Sequence, residues 1–250
     1  MFVGFFVGVI SSIVGAVIIY ILSRVFIFSR FLTLRGRLLS ANKGKVTIYI
    51  PSIENINEQW TGKFQNLSSV PLGDAMALDK ICNYLSYAKR PYVIHPGANY
   101  KYENSGNDVI CIGGPRHNQA SREILNHLGS RIHYQFARMI TKGYESDGID
   151  LKRFVDQKNN GSSILVPIDL ETDYGTIISA KKHPEDSNRI LIIAGMSPLS
   201  TWGAVQWMMN GSHLSQLFKR LSAIQFMIKC SYKDEFNIQN MNLVSVHKVD

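Results

Sequence analysis

The chain is 250 residues long, 45% hydrophobic and 18% charged, a composition that excludes a disordered or collagen-like polymer and leaves room for one full-sized domain plus an appendage. Its formal charge is +8, but six of the 27 basic residues, Arg24, Arg30, Arg35, Arg37, Lys43 and Lys45, precede the first acidic one, Glu54, and the rest of the chain is nearly neutral. The charge belongs to one segment rather than to a domain face, which argues against a nucleic-acid partner.

That segment follows an uncharged run from Phe2 to Leu22, about the length that crosses roughly 30 Å of hydrocarbon as a helix. No basic stretch precedes the run and no small-x-small cleavage site follows Tyr20, so 1–23 reads as a retained transmembrane anchor rather than a signal peptide. Basic residues flanking a membrane helix mark the cytoplasmic side and favour anionic lipid head groups. The expectation is a single-pass protein of the inner (cell) membrane with its C-terminal domain in the cytoplasm. Gly4, Gly8, Ser12 and Ala16 recur every four residues and strip one helix face to small side chains, the pattern of close helix–helix approach and a homo-oligomer. From 24 to 45 the chain stays basic, with helical spacing of Phe28, Phe31, Leu32, Leu38 and Leu39 that suits an amphipathic segment on the membrane surface. Cys82, Cys111 and Cys230 are scattered thiols without redox spacing, consistent with a reducing compartment.

From 46 to 250 short β-branched runs alternate with segments of helical period. Strands are expected at Val46–Ile50, Tyr92–His95, Asp108–Ile112, Ile164–Ile168, Gly175–Ala180, Ile190–Ala194, Ile224–Ser231 and Leu243–His247. Helices are expected at Asp74–Ala88, Asn118–Leu128, Thr201–Met209 and Leu214–Leu221, with a polar middle from Lys142 to Gly161. Alternation of this kind predicts an α/β domain, a Rossmann-like three-layer fold with a largely parallel sheet. A hairpin at Asp173-Tyr-Gly175 would make that sheet mixed.

In an open α/β sheet, ligands bind beyond the carboxyl ends of the strands, and three loops there have the composition for it. Pro71-Leu-Gly73-Asp74 opens a helix that Asp74 is expected to cap. Gly113-Gly114-Pro115-Arg116-His117-Asn118 joins a strand to a helix. Gly195-Met-Ser197-Pro-Leu-Ser200-Thr201 does the same further on. Glycines after a strand bring backbone N–H groups close to an occupant, and a helix N-terminus adds positive partial charge, so the loops suit an anion or a sugar-phosphate. The competing reading makes Gly113-Gly114 a tight connection with Asn118 as the helix cap. His95 stands at a strand end near the same edge. Trp202, at a helix start, is placed to stack on a base, whereas Trp207 suits the core. The seven histidines have no ligand spacing and no P-loop is present, so neither a metal nor a cofactor is expected.

The stretches "GDAMALDKI", "DVICIGGPRHNQAS" and "DYGTIISAKKHPEDSNRILIIAGMSPLSTWGAVQWM" together resemble bacterial membrane-anchored Rossmann-like proteins related to the SLOG and nucleoside deoxyribosyltransferase-like domains of conflict systems, over Gly73 to Leu221. The resemblance implies a nucleotide or nucleoside-derivative site built from the three loops. Deoxyribosyltransferases carry a carboxylate nucleophile on the helix after a Gly-Thr turn, and the comparable stretch here, Thr201 to Gln206, has no acid. Asp74 and Glu123 are the only acids read near the loops, so binding without turnover is the favoured reading. Three functions stay open. One is a membrane-anchored sensor or effector, with anti-phage defence as its setting. Another is a membrane-tethered enzyme acting on a nucleotide or NAD, deoxyribosyltransferase-like or a glycohydrolase. The third is a structural partner of another membrane protein.

Overall fold

β-Branched residues in strict alternation build the centre of the domain. In β3 (Asp108–Ile112) Ile110 and Ile112 point to one face of the sheet while Val109 and Cys111 point to the other, and all are buried. In β8 (Arg189–Gly195) Leu191 and Ile193 divide in the same way from Ile190, Ile192 and Ala194. A strand apolar on both faces must be covered on both, and it is. The computed structural model describes residues 12–21, 39, 44–52, 70–100, 107–138, 149–158, 164–165, 171–181, 185, 187–210, 223–234 and 237–249.

Seven strands form the central sheet in the order β10-β9-β7-β8-β3-β1-β2, with β1 Val46–Ile50, β2 Tyr92–Pro96, β7 Thr172–Lys181, β9 Ile224–Asp234 and β10 Asn237–Lys248. β2, β1, β3 and β8 are parallel, whereas β7 runs against both β8 and β9, and β10 against β9. The fold is therefore mixed α/β. Helices α2 (Leu72–Tyr87) and α4 (Pro198–Asn210) cover one face, where Ala77, Ile81, Leu85, Trp202, Val205 and Met208 meet Ile48, Ile110, Ile193 and Phe226. On the other face lie α3 (Gln119–Leu128), through Ala120, Ile124, Leu125 and Leu128, and a small antiparallel sheet of β4 (Tyr134–Arg138), β5 (Ile149–Asp156) and β6 (Ile164–Leu165). Buried Gln225 of β9 ties that layer to the main sheet. Its Oε1 accepts from the His133 and Tyr134 amides at 2.9 and 3.0 Å, and its Nε2 donates to the Tyr134 carbonyl at 2.8 Å.

The strands expected at Val46–Ile50 and Asp108–Ile112 have those bounds. Three expectations need correction. The expected hairpin at Asp173–Gly175 is absent, because β7 runs unbroken from Thr172 to Lys181 and pairs with β8 and β9 over nearly its whole length. The polar middle from 142 to 161 contains β5, which pairs antiparallel with β4 and β6 and buries Phe154. Helix α4 starts at Pro198 rather than Thr201, proline being well suited to a first helical turn. The helix expected at Leu214–Leu221 lies outside the described residues.

Near the N-terminus, residues 12–21 form the helix α1. Its apolar side chains are exposed all round, Ile13 at 59%, Ile18 at 50% and Ile19 at 69%, and Ser12 and Ala16 of the small-residue stripe are exposed with them. Gly4, Gly8 and the basic residues from Arg24 to Lys43 lie outside the described residues. Among the described residues no helix is long and apolar enough to cross a membrane.

Candidate functional site at the carboxyl edge of the sheet

Because β1, β3 and β8 are parallel, their ends at Pro51, Gly113 and Gly195 open on one edge. β7 runs the opposite way and brings its first residues to the same edge, with Gly175 paired to Gly195 and the Met196 amide donating to the Tyr174 carbonyl at 3.0 Å. Over this edge lie the N-termini of α2, α3 and α4, so the three loops singled out from sequence are brought together.

The turn after β3 is built by its own residues. Gly113 has φ +91, a conformation that side-chain-bearing residues rarely adopt. A Cβ there would lie 2.5 Å from Pro51 Cγ and 3.3 Å from Asp74 Cγ. Asn118 caps α3 through its Oδ1, which accepts from the Ser121 amide at 3.3 Å, and its Nδ2 donates to the carbonyls of Ile112 at 2.8 Å and Tyr49 at 3.1 Å. Fully buried and fully bonded, Asn118 joins β1, β3 and α3, in line with its reading as a cap. Gly114 accepts from the amides of His117 and Asn118. Pro115 is buried while Arg116 and His117 are exposed. Burial and the nearby guanidinium groups of Arg116 and Arg122 hold the His117 imidazole below its ordinary pKa. Arg122, which sequence reasoning passed over, folds back on the turn and donates to the carbonyls of Pro115 at 3.0 Å and Arg116 at 3.2 Å.

Helix α4 is set very deep into the edge, and glycines make room for it. A Cβ on Gly73 would strike the Pro198 carbonyl, and one on Gly195 would strike Ser200 Oγ, the Thr201 amide and the Ser197 carbonyl. The serines of its first turn bond one another. Ser200 Oγ accepts from the Ser197 amide at 3.1 Å and donates to the Ser197 carbonyl at 2.9 Å, while Ser197 Oγ accepts from the Ser200 amide at 3.3 Å. Trp202 is 8% exposed and packed in the core beneath α2, so it offers no stacking platform, contrary to expectation. Trp207 is in the core as read, 5.4 Å from Phe226 between ring centroids.

Two carboxylates close on this turn from opposite sides. Asp74 does not cap α2 as expected. The cap position is Pro71 and carries no side-chain bond, which leaves Asp74 within the first turn of the helix. It is 4% exposed, one hydroxyl bond comes from Thr201, and its Oδ1 has no hydrogen-bond partner. Burial raises its pKa to about 7, against the opposing pull of Thr201. Asp173, at the start of β7, is 8% exposed and bonds Ser197 and Ser200, with the Tyr174 amide donating to its Oδ1 at 2.7 Å. Burial again raises its pKa, and those bonds offset part of the rise. Beside it, burial pushes the Cys230 thiol up to about 12 and the Tyr232 phenol also upward, with Asp173 adding to both. Among the described residues no Lys, Arg or His pairs with either carboxylate, and no group of His, Cys, Asp and Glu is arranged to hold a metal.

Asp173 was missed because an acid beside Tyr-Gly looks like a turn. The signal that finds it is the apolar run Ile177–Ala180. Extending that strand back through Gly175 and pairing it against 190–195 puts Asp173 at the ligand edge. Glu123, the other acid noted, sits on α3 and accepts from Gln119 Nε2 at 2.7 Å. His95 is exposed at the end of edge strand β2. Neither a protein-family model nor a curated protein matches the chain.

Proposed function

We propose that this protein is a membrane-anchored sensor or effector in which a Rossmann-like cytoplasmic domain binds a nucleotide-type signal at the carboxyl edge of its sheet and acts through association of its N-terminal helices. One observation carries the reading: α1 presents isoleucine, valine and tyrosine to solvent on every side, which no water-soluble helix does at this density. Its ten described residues span about 15 Å, half of a hydrocarbon core of roughly 30 Å, and the uncharged run Phe2–Leu22 is of the sequence length that a full crossing needs. The buried carboxylates over α4 give the domain a polar feature that folding alone does not require. The resemblance supplies the anti-phage setting.

A second reading, a membrane-held enzyme acting on a nucleotide or NAD, draws on Asp173. The sequence had offered only Asp74 and Glu123 near these loops, and a pair of acids with raised pKa is what acid–base work at a sugar carbon needs.

The test uses the full chain in detergent micelles with nucleosides, nucleotides and NAD, followed by thermal shift and by product chromatography. A shift without products is the expected result, products would favour the enzyme, and neither would leave a structural partner of another membrane protein. In parallel, Val14→Lys with Ile18→Lys should move the protein from the membrane to the soluble fraction, because each lysine costs about 2.5–3.5 kcal/mol at the centre of a membrane helix. Unchanged membrane association would remove α1 from the mechanism.

A further inference from the structure

We propose that Asp74 is the recognition point for an uncharged hydrogen-bond donor of the ligand, a sugar hydroxyl or a base amino group, and that the Gly113–Gly114 turn beside it is not a phosphate cradle. The proposal deepens the nucleotide-signal reading and rests on it.

Its basis is an acceptor without a donor. Among the described residues Asp74 Oδ1 is buried and has no hydrogen-bond partner, and a buried carboxylate oxygen with no partner is costly enough that folded proteins rarely keep one without a use for it. The group is held between α4 and the β3 turn, by Thr201 on one side and against Gly113 on the other. A ligand atom carrying a proton would satisfy it.

A phosphate at the same turn meets the opposite situation. The Gly113 amide donates to the Ile193 carbonyl at 2.9 Å, those of His117 and Asn118 to Gly114, and that of Ser121 to Asn118. The Arg122 guanidinium is committed to two carbonyls of the turn. In α4 the Ser197, Ser200 and Thr201 amides are engaged within the turn itself. Several donors that could hold a phosphate at a helix N-terminus, those of Gly113, Ser121, Ser197, Ser200 and Thr201, are used internally, and the nearest side chain to Gly113 from α2 is itself an acid. Phosphates of a nucleotide would therefore lie outward, toward exposed Arg116, with the sugar or base inside.

The same geometry fixes the direction of pH dependence. An ionised carboxylate accepts more strongly from the ligand donor than a protonated one, which at Oδ1 presents a donor instead, so affinity should rise with pH through the neutral range in which Asp74 titrates. Among the described residues, the groups found against Asp74 are Thr201 from α4 and the turn at Gly113, neither of which ionises near neutrality.

The experiment titrates the full chain in micelles, at pH 6 and pH 8, with adenosine, guanosine, cytidine and uridine, their 5′-monophosphates and inorganic phosphate. At least one nucleoside is expected to bind without its phosphate, more tightly at pH 8, and Asp74→Asn should weaken it tenfold or more. Millimolar inorganic phosphate should not displace it. The 2′,3′-dideoxy form and, for adenosine, the purine riboside lacking the amino group distinguish hydroxyl from amine, whichever loses affinity naming the donor. Thr201→Val, which keeps the fold's shape, should move the pH midpoint of binding upward. Monophosphates that bind while nucleosides do not, displacement by inorganic phosphate, or an Asp74→Asn affinity within twofold of wild type would overturn this proposal and leave the nucleotide reading standing. If no nucleoside or nucleotide binds the wild type, both fall.

Discussion

At the amino edge of the sheet buried charge is paired. Arg90 Nη2 meets Asp108 Oδ2 at 2.9 Å with both side chains almost fully buried, the other Asp108 oxygen accepts from the Arg189 amide at 2.8 Å, and Arg90 also donates to the Gly44 carbonyl. At the carboxyl edge, one strand length away, Asp74 and Asp173 are also buried, at 4% and 8% exposure, and have hydroxyls and amides for company but no cation among the described residues. The first arrangement completes the fold, since it ties the starts of β3 and β8 to the segment before β2. The second costs stability and joins the first turn of α4 without a balancing charge among the described residues. Carboxylates kept at such a cost, on the edge where α/β sheets take their ligands, mark the working end of the molecule.

The largest effect should come from unbalancing the paired edge. Asp108→Asn preserves shape and an acceptor for the Arg189 amide but leaves the Arg90 guanidinium buried without its counter-ion. A loss of about 3–5 kcal/mol is expected, read as a lowered urea midpoint. A change under about 1 kcal/mol would mean that the two edges do not differ as argued.

Asp74→Asn should act in the opposite direction. The folded pKa of about 7 lies above the ordinary 3.8, so the folded chain holds its proton longer than the unfolded chain. That contribution is fully present below pH 3.8 and is lost as pH rises to about 7, beyond which stability levels off. The shift corresponds to about 4 kcal/mol, part of which the amide returns through a poorer bond with Thr201. The variant should therefore be more stable than wild type by about 2–4 kcal/mol at pH 8, and nearly equal to it at pH 4. Wild-type stability that is flat from pH 4 to 8 would show that Asp74 is no more strained than Asp108.

How far these edges could be read beforehand differs between them. The strands around Val46, Val109 and Ile190 announced themselves by β-branched runs, and Asn118 by its place before an apolar helical period. The three loops were found from their glycines, and they do converge. What the glycines are for was not legible. Gly73 and Gly195 are bare because α4 presses on them, and a glycine that must admit a helix looks the same in sequence as one that must admit a ligand. Ser197, Ser200 and Thr201 likewise read as donors to an occupant, whereas two of them fold back on their own turn. Asp173 was hidden because strand pairing brings it in from a distant part of the chain, and pairing is a long-range property that local periodicity does not report.

Gly113→Ala sharpens the distinction between the glycines. At φ +91, with Pro51 and Asp74 against the new methyl, a cost of about 1–3 kcal/mol is expected. Gly129→Ala, at φ +46 with nothing within 4 Å, should cost no more than about 1–2 kcal/mol, the backbone contribution alone. Equal thermal shifts for the two would mean that the packing around Gly113 is slack.

The smallest effect is also the most specific to the carboxyl edge. Thr201 is the one group found to hold the Asp74 pKa down, and its single hydroxyl proton is contested, since Thr201 Oγ1 also lies 3.4 Å from the Ser197 carbonyl. Thr201→Val keeps the branched shape and deletes the donor, removing about 1 kcal/mol of preference for the ionised form, which is somewhat less than one pH unit. The titration should move above about 7, so that stability, which levels off in wild type about one pH unit above that value, keeps falling further in the variant. Thr201→Ser retains the hydroxyl and should restore the wild-type profile, which separates the hydrogen bond from packing. Urea midpoints taken from pH 6 to 9 decide the matter. If the valine variant loses stability equally at every pH, Thr201 serves only to pack α4 against α2, and the carboxylate beside it titrates without its help.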